Sequence, residues 1–157
     1  MTMPAQKPGR SKQDYQTPRE FVLAVYKYLH IQRFTLDIAA SAENAIAEPY
    51  YTEQDDAFTQ GLTWKSEGWS WLNPPFARIA PWVEKAYQET CQGARIAVLV
   101  PAGVGSNWWA NWVHHKAHVL LLSPRLTFVG AKDPYPKDCA LLLYGCVPAD
   151  YECWRWK

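Results

Sequence analysis

Long apolar runs, paired cysteines and a strong net charge are all missing from this 157-residue chain, and each absence removes a class of function. No run approaches the ~20 apolar residues that span a bilayer, and the opening MTMPAQKPGRSKQ lacks the apolar segment of a secretory signal, so the expected compartment is the cytoplasm. Cys91, Cys139, Cys146 and Cys153 form no Cys-x-x-Cys pair, which argues against a zinc knuckle or a disulfide framework and for reduced thiols. His114 and His118 would share a helix face beside His115, but no acidic or cysteine partner lies near them, so a surface helix is expected there and no metal. A formal charge of +1 argues against a protein that coats nucleic acid by charge alone. Any basic footprint must be local. One candidate is residues 1–13, read as a flexible basic arm carrying Lys7, Arg10 and Lys12 ahead of a domain over 14–157, with a plain solvated tail as the alternative.

What is present is a 48% hydrophobic content, enough for one real core, and an unusual load of aromatics at 15%, including nine Trp. Most must pack the core, and some are free to meet a flat ligand. Thr17-Pro18-Arg19-Glu20 reads as a helix start, with Thr17 as cap and Pro18 at the first helical position. Phe21, Val22, Val25 and Leu29 then recur at helical spacing, which predicts a helix over 18–30. FTLDIAAS is a short strand ending at Asp37, AEPYYT a second strand candidate before an acidic turn, and WSWLNPPF a strand stopped at Asn73 by prolines.

PWVEKAYQETCQ predicts a helix opened by Pro81 and ended by Gly93, and ARIAVLVPA a buried parallel strand. SNWWANWVHHKA predicts a helix that packs through Trp108, Trp109 and Trp112. HVLLLS is another strand, RLTFVG and CALLLYG a hairpin, and Trp154 and Trp156 members of a last strand. The expected fold is therefore α/β, a three-layer sandwich with a mostly parallel sheet ending in an antiparallel hairpin. Ligands of such sheets sit beyond the carboxyl ends of the strands, where Asp37, Asp55-Asp56 and Asn73 fall.

Asn73-Pro74-Pro75-Phe76 is the richest chemical signal. The prolines have fixed φ and no N–H, so their carbonyls are held with little local competition. Asn73 adds a side-chain carbonyl oxygen and Phe76 a face for a planar base. Two acceptors beside an aromatic plate suit an exocyclic amine on a nucleobase. Such an amine is a poor nucleophile because its lone pair is delocalised into the ring. Donating both N–H groups to Asn73 and Pro74 would let it pyramidalise and aim that lone pair at an electrophile, by orientation rather than by a strong base.

The tetrad is similar to the signature of amino-methyltransferases acting on adenine N6 or cytosine N4. From about Asp14 to Tyr144, through QTPREF, FTLDIAASAENA, YYTEQDDAF, WLNPPFARIAPWVEKA, VLVPA and SPRLTFVG, the chain resembles the small phage and prophage DNA N6-adenine methyltransferases. The resemblance implies a Rossmann-like fold, S-adenosylmethionine as cofactor, double-stranded DNA as partner, and Asn73, Pro74, Pro75 and Phe76 as the catalytic block. Carboxylates are expected to accept from the cofactor's ammonium and hydroxyl groups. Asp37 is the first candidate, with Ala39, Ala40 and Ser41 small enough for close approach. Asp55 or Asp56 would serve the ribose or the cofactor's adenine, and Thr17-Pro18 would line the methionine end. The usual glycine-rich loop is absent, and only residues 38–72 separate Asp37 from Asn73, so the middle of the sheet is expected to be abbreviated.

A base in a duplex reaches such a pocket only by flipping out. Phe76 stacking would offset part of that cost, and Arg78 would hold an adjacent phosphate. Arg125, Phe128, Lys132 and Lys137, with Tyr135, make residues 125–137 the candidate for DNA readout, against the plainer reading of a Pro-rich connection. The alternatives to adenine are cytosine N4, an RNA base, a protein glutamine, or a nonenzymatic nucleic-acid-binding module.

Overall fold

The computed structural model describes residues 15–145 and 148–157, so the arm with Lys7, Arg10 and Lys12, and also Cys146, lie outside the described residues. Helix α1 runs Arg19–Leu29, starting one residue later and ending one residue earlier than expected. Pro18 is the boundary residue, extended at φ −62° and ψ 137°, and its carbonyl accepts the N–H groups of Phe21 and Val22 at 3.1 and 3.2 Å. Thr17 does not cap this helix; its hydroxyl is engaged elsewhere, as described below. Phe21, Val22 and Val25 form the buried stripe.

Six strands follow around two further helices: β1 Leu36–Asp37, β2 Trp69–Leu72, α2 Ala80–Cys91, β3 Arg95–Pro101, α3 Asn107–Trp112, β4 His118–Ser123, β5 Cys139–Tyr144 and β6 Tyr151–Arg155. They form one sheet in the order β1-β2-β3-β5-β4-β6. β1, β2 and β3 are parallel neighbours, β6 is parallel to β4, and β5 is antiparallel to both β3 and β4. The fold is α/β with a mixed sheet, and every strand except β5 runs the same way.

Alternation sorts the side chains into two cores. Along β3, Ile96, Val98 and Val100 face α2 and α3 with Val83, Ala86 and Trp109, while Ala97 and Leu99 face α1 with Phe21, Val22 and Val25. The sheet is thus the middle of three layers. Each fully buried Leu or Val contributes roughly 1.5–3 kcal/mol of transfer free energy.

Four expectations need correction. RLTFVG forms no strand: residues 125–130 are a loop whose Leu126 and Phe128 drop into the core, so alternating apolar residues here anchor a loop instead of a ladder. The antiparallel hairpin is β4–β5, closed by residues 124–138. AEPYYT reduces to a single bridge between Asp37 and Tyr50, because Pro49 has no N–H to donate and the turn beginning at Thr52 follows at once. The histidines do not share a helix face, since α3 stops at Trp112 and His118 opens β4. His114 Nδ1 lies 2.8 Å from Tyr151 Oη, and His118 Nε2 lies 3.2 Å from Glu152. Among the described residues no group of His, Cys, Asp and Glu could hold a metal, and no helix is long and apolar enough to cross a membrane.

Candidate active site

Because β1 and β2 run parallel in the register Asp37↔Trp71, their carboxyl ends deliver Asp37 and Asn73 to the same edge of the sheet. They line one narrow cleft together with Tyr15, Thr17, Ala39 and Trp71. Two of the polar side chains there, Asn73 and Asp37, behave unlike an ordinary buried pair.

Asn73 Nδ2 donates to the Tyr15 carbonyl at 2.8 Å and to Thr17 Oγ1 at 3.3 Å. The Tyr15 carbonyl is an acceptor only, so the amide cannot be turned over without setting oxygen against oxygen. Asn73 Oδ1 is consequently fixed on the opposite side. It is buried and has no hydrogen-bond partner, the only such side-chain atom among the described residues. Leaving a buried acceptor unsatisfied costs about 1–3 kcal/mol, and natural folds keep such atoms rarely.

Asp37 is 2% exposed. Its Oδ1 accepts from the Ala39 N–H at 3.3 Å and its Oδ2 from the Ile46 N–H at 3.0 Å, which folds the 38–46 loop back over the strand end. Burial, partly offset by those two N–H groups, lifts its carboxyl to about 7. Among the described residues no Lys, Arg or His forms an ion pair with it. A buried carboxylate without a cation is suited to a ligand that brings one.

The small residues after Asp37 hold the loop by backbone bonds. The Ala40 N–H donates to the Tyr51 carbonyl at 2.9 Å, and the Ser41 N–H to Asn44 Oδ1 at 2.7 Å. Ala39 opens onto a second depression, with a cavity volume of about 130 Å³, that also meets Glu53, Asp56, Pro75 and Trp82. The acidic pair is split by this arrangement. Asp55 Oδ2 accepts the Thr52 N–H and hydroxyl at 2.8 and 2.9 Å, which holds its carboxyl below the usual range and closes it in a local turn. Asp56, in the left-handed region at φ 52°, borders the depression. A third cavity of about 340 Å³ lies on the far side of Thr17, against Arg19, Tyr26, Ile46 and Val129.

Pro74 is buried, Pro75 borders the second depression, and the Pro75 carbonyl accepts the Arg78 N–H at 3.4 Å in a turn that leaves Arg78 exposed. The Phe76 ring stacks on Tyr15, with centroids 5.5 Å apart and planes 20° from parallel. Of the expected DNA-contacting residues, Lys132 and Lys137 are exposed and Arg125 pairs with Asp138 at 2.9 Å. Phe128 is 3% exposed and packs against Phe76 and Tyr15, so it supports the site from behind and is not a surface contact. Sequence reasoning missed Tyr15, Glu53 and Trp82. Tyr15 precedes Thr17 by two residues and Glu53 adjoins the acidic pair, but nothing local distinguishes them from ordinary loop residues.

A family profile described as DNA N-6-adenine-methyltransferase (Dam) matches residues 5–140, well over half of the chain. A DNA N-6-adenine-methyltransferase of Escherichia phage T1 is 28% identical over 113 residues, covering 72% of this chain and 46% of the phage protein. The chain therefore spans about half the length of that relative. No solved structure matches it. The cleft that joins Asp37 to Asn73 lies wholly inside the matched span, and the chain belongs to the DNA N-6-adenine-methyltransferase (Dam) family.

Proposed function

We propose that the chain transfers a methyl group from S-adenosylmethionine to the N6 amine of adenine in double-stranded DNA, at Asn73. The observation that carries this reading is the buried, unpartnered Asn73 Oδ1, locked by Tyr15 and Thr17 so that it faces away from both. An amide oxygen held in that way is ready for an N–H donor that none of the described residues supplies, and an exocyclic amine is such a donor.

S-adenosylmethionine supplies an electrophilic methyl on a sulfonium and an ammonium at its amino-acid end. The residues present fit it: Asp37 is a buried carboxylate that no cation among the described residues pairs with, and the adjacent Ala39 opens onto the 130 Å³ depression. Asp37 would hold the ammonium end near Thr17 and Pro18, while Ala39, Ala40 and Ser41 shape the loop. Asp56, with Glu53, would accept from ribose hydroxyls, and Trp82 offers an apolar face for the adenosyl end. Asp55, engaged with Thr52, is left as a turn residue. The parallel β1-β2-β3 unit with its site at the carboxyl ends supports a Rossmann-like reading of the sheet.

For the amine, Asn73 Oδ1 and the Pro74 carbonyl would accept the two N–H groups, drawing N6 out of conjugation so that its lone pair points at the methyl. The N–C bond would form as the sulfonium's S–CH3 bond breaks to leave a neutral thioether, and the methylated amine would then lose its proton to solvent, since an amide oxygen is too weak a base to take it first. Arg78, Lys132 and Lys137 are the exposed cations suited to phosphates around the flipped base, with Arg125 available if its bond to Asp138 opens. The test is Asn73→Ala. It is expected to bind S-adenosylmethionine within about threefold of the unaltered protein and to lose transfer to DNA. Retained transfer would remove the tetrad from the chemistry.

A further inference from the structure

Phe76 offers one aromatic face, but a base held on one face only is free to slide in its own plane and away from Asn73. The structure supplies a second plate. Tyr15 lies nearly parallel to Phe76, 20° from coplanar at a centroid distance of 5.5 Å. Tyr135 meets both rings edge-on, each at 5.7 Å, and Phe128 closes the same side at 5.2 Å from Tyr15 and 6.2 Å from Phe76. Two plates therefore share a common back wall, with the Asn73 amide bound to the backbone of one of them.

The two plates are not equally free to move. Phe76 follows two prolines, whose fixed φ leaves the segment few alternatives. Tyr15 is carried on a short stretch tied to the rest of the molecule by the Val129 N–H donating to the Gln16 carbonyl at 3.0 Å, and by its own carbonyl on Asn73 at 2.8 Å. Separating the rings by the ~3.4 Å thickness of a base would bring their centroid distance beyond the ~4.5–7 Å of direct aromatic pairs, so the slot is shut as it stands.

We propose that Tyr15 is the second wall of the target-base slot: it closes on Phe76 when no base is present and stacks on the opposite face of the extruded adenine when one enters. This inference rests on the reading of the reaction given above. It makes Tyr15 a substrate-positioning residue that uses its ring, not its hydroxyl, and it explains why the same residue fixes the Asn73 amide. Alignment of the base plane and presentation of the amide oxygen are set by one segment.

The experiment uses the full chain. N6-methyladenine positions are first mapped in genomic DNA treated with the unaltered protein, and a duplex bearing one such site is then methylated by Tyr15→Phe, Tyr15→Leu and Tyr15→Ala. Loss of one stacking face corresponds to about a 5- to 150-fold effect. Tyr15→Leu and Tyr15→Ala are expected to lower kcat/KM for DNA by about 10- to 100-fold while S-adenosylmethionine affinity and Tm hold, and Tyr15→Phe to recover most of the loss. With 2-aminopurine at the target position, emission in the complex should be brighter for Tyr15→Leu than for the unaltered protein, because one quenching ring is gone. Tyr15→Leu keeps the volume should Tyr15→Ala fail to fold. Unchanged kcat/KM and unchanged emission in Tyr15→Leu would overturn the inference alone, as would a loss that Tyr15→Phe shares. Absence of N6-methyladenine with the unaltered protein would instead overturn the reading of the reaction, and the slot with it.

Discussion

Tyr144 on β5 and Asn73 after β2 both carry polar atoms deep in the molecule, and they are treated in opposite ways. The Tyr144 hydroxyl donates to the Trp112 carbonyl at 2.7 Å, and burial pushes its pKa well above the phenolic range. The neighbouring Trp109 indole N–H reaches Tyr151 Oη at 3.1 Å. Around α3, β5 and β6 these interior donors are matched by the fold itself. At the β1–β2 edge, among the described residues, Asn73 Oδ1 has no partner and Asp37 pairs with no cation. The difference is one of satisfaction: among the described residues the first region is matched internally, and the second keeps hydrogen-bonding capacity suited to a ligand.

The contrast can be broken most forcefully at Asp37. Asp37→Ala should weaken S-adenosylmethionine binding by about 100-fold or more, measured by calorimetric titration, as expected for removing one member of a buried charge pair. The same carboxylate sets a pH signature in the ligand-free protein. Unfolded, it loses its proton near 4; folded, it keeps it to about 7. Between those values the folded state binds more protons at this group, so its contribution to stability is largest below about pH 4 and falls as pH rises to about 7, by as much as roughly 4 kcal/mol. Denaturant unfolding of Asp37→Asn should lack that decline, and a decline of equal size in both proteins would assign it to another group.

Thr17→Val sharpens the comparison further, because it removes one of the two acceptors that orient the Asn73 amide. A roughly three- to tenfold fall in single-turnover transfer is expected, with cofactor affinity unchanged and Thr17→Ser restoring the rate. A weakened cofactor affinity would show that Thr17 also holds the methionine end directly, where the sequence reading put it. Tyr144→Phe is the control from the other region. It should lower stability by about 1–2 kcal/mol in denaturant unfolding, through the deserted Trp112 carbonyl, and leave transfer unaffected.

Much of this was readable in the chain, because local rules decide it. Pro74 and Pro75 stop a strand wherever they occur, Asp37 ends an apolar run, and alternation in ARIAVLVPA places β3 at the centre. What escaped depends on distant partners. RLTFVG has the pattern of a strand, yet its apolar residues serve to seat a loop on Tyr15 and Phe76. Phe128 looked like a contact for DNA because its burial is set by rings more than fifty residues away in sequence. Asp55 and Asp56 are chemically identical, yet Asp55 turns back onto Thr52 while Asp56, in the left-handed region and accepting from the Phe58 N–H, borders the depression with Ala39. The insertion of β5 between β3 and β4 follows from no local signal, since HVLLLS and CALLLY would pair equally well at an edge. The role of Tyr15 depends on a stack that spans the whole distance from the start of the described chain to the tetrad.

The most direct measurement is nucleoside analysis of unmethylated genomic DNA incubated with methyl-labelled S-adenosylmethionine and either the unaltered protein or Asn73→Ala. Label in N6-methyladenine with the first and none with the second is the predicted result. Label in N4-methylcytosine, label carried equally by the Asn73→Ala reaction, or no label in DNA at all would contradict the account.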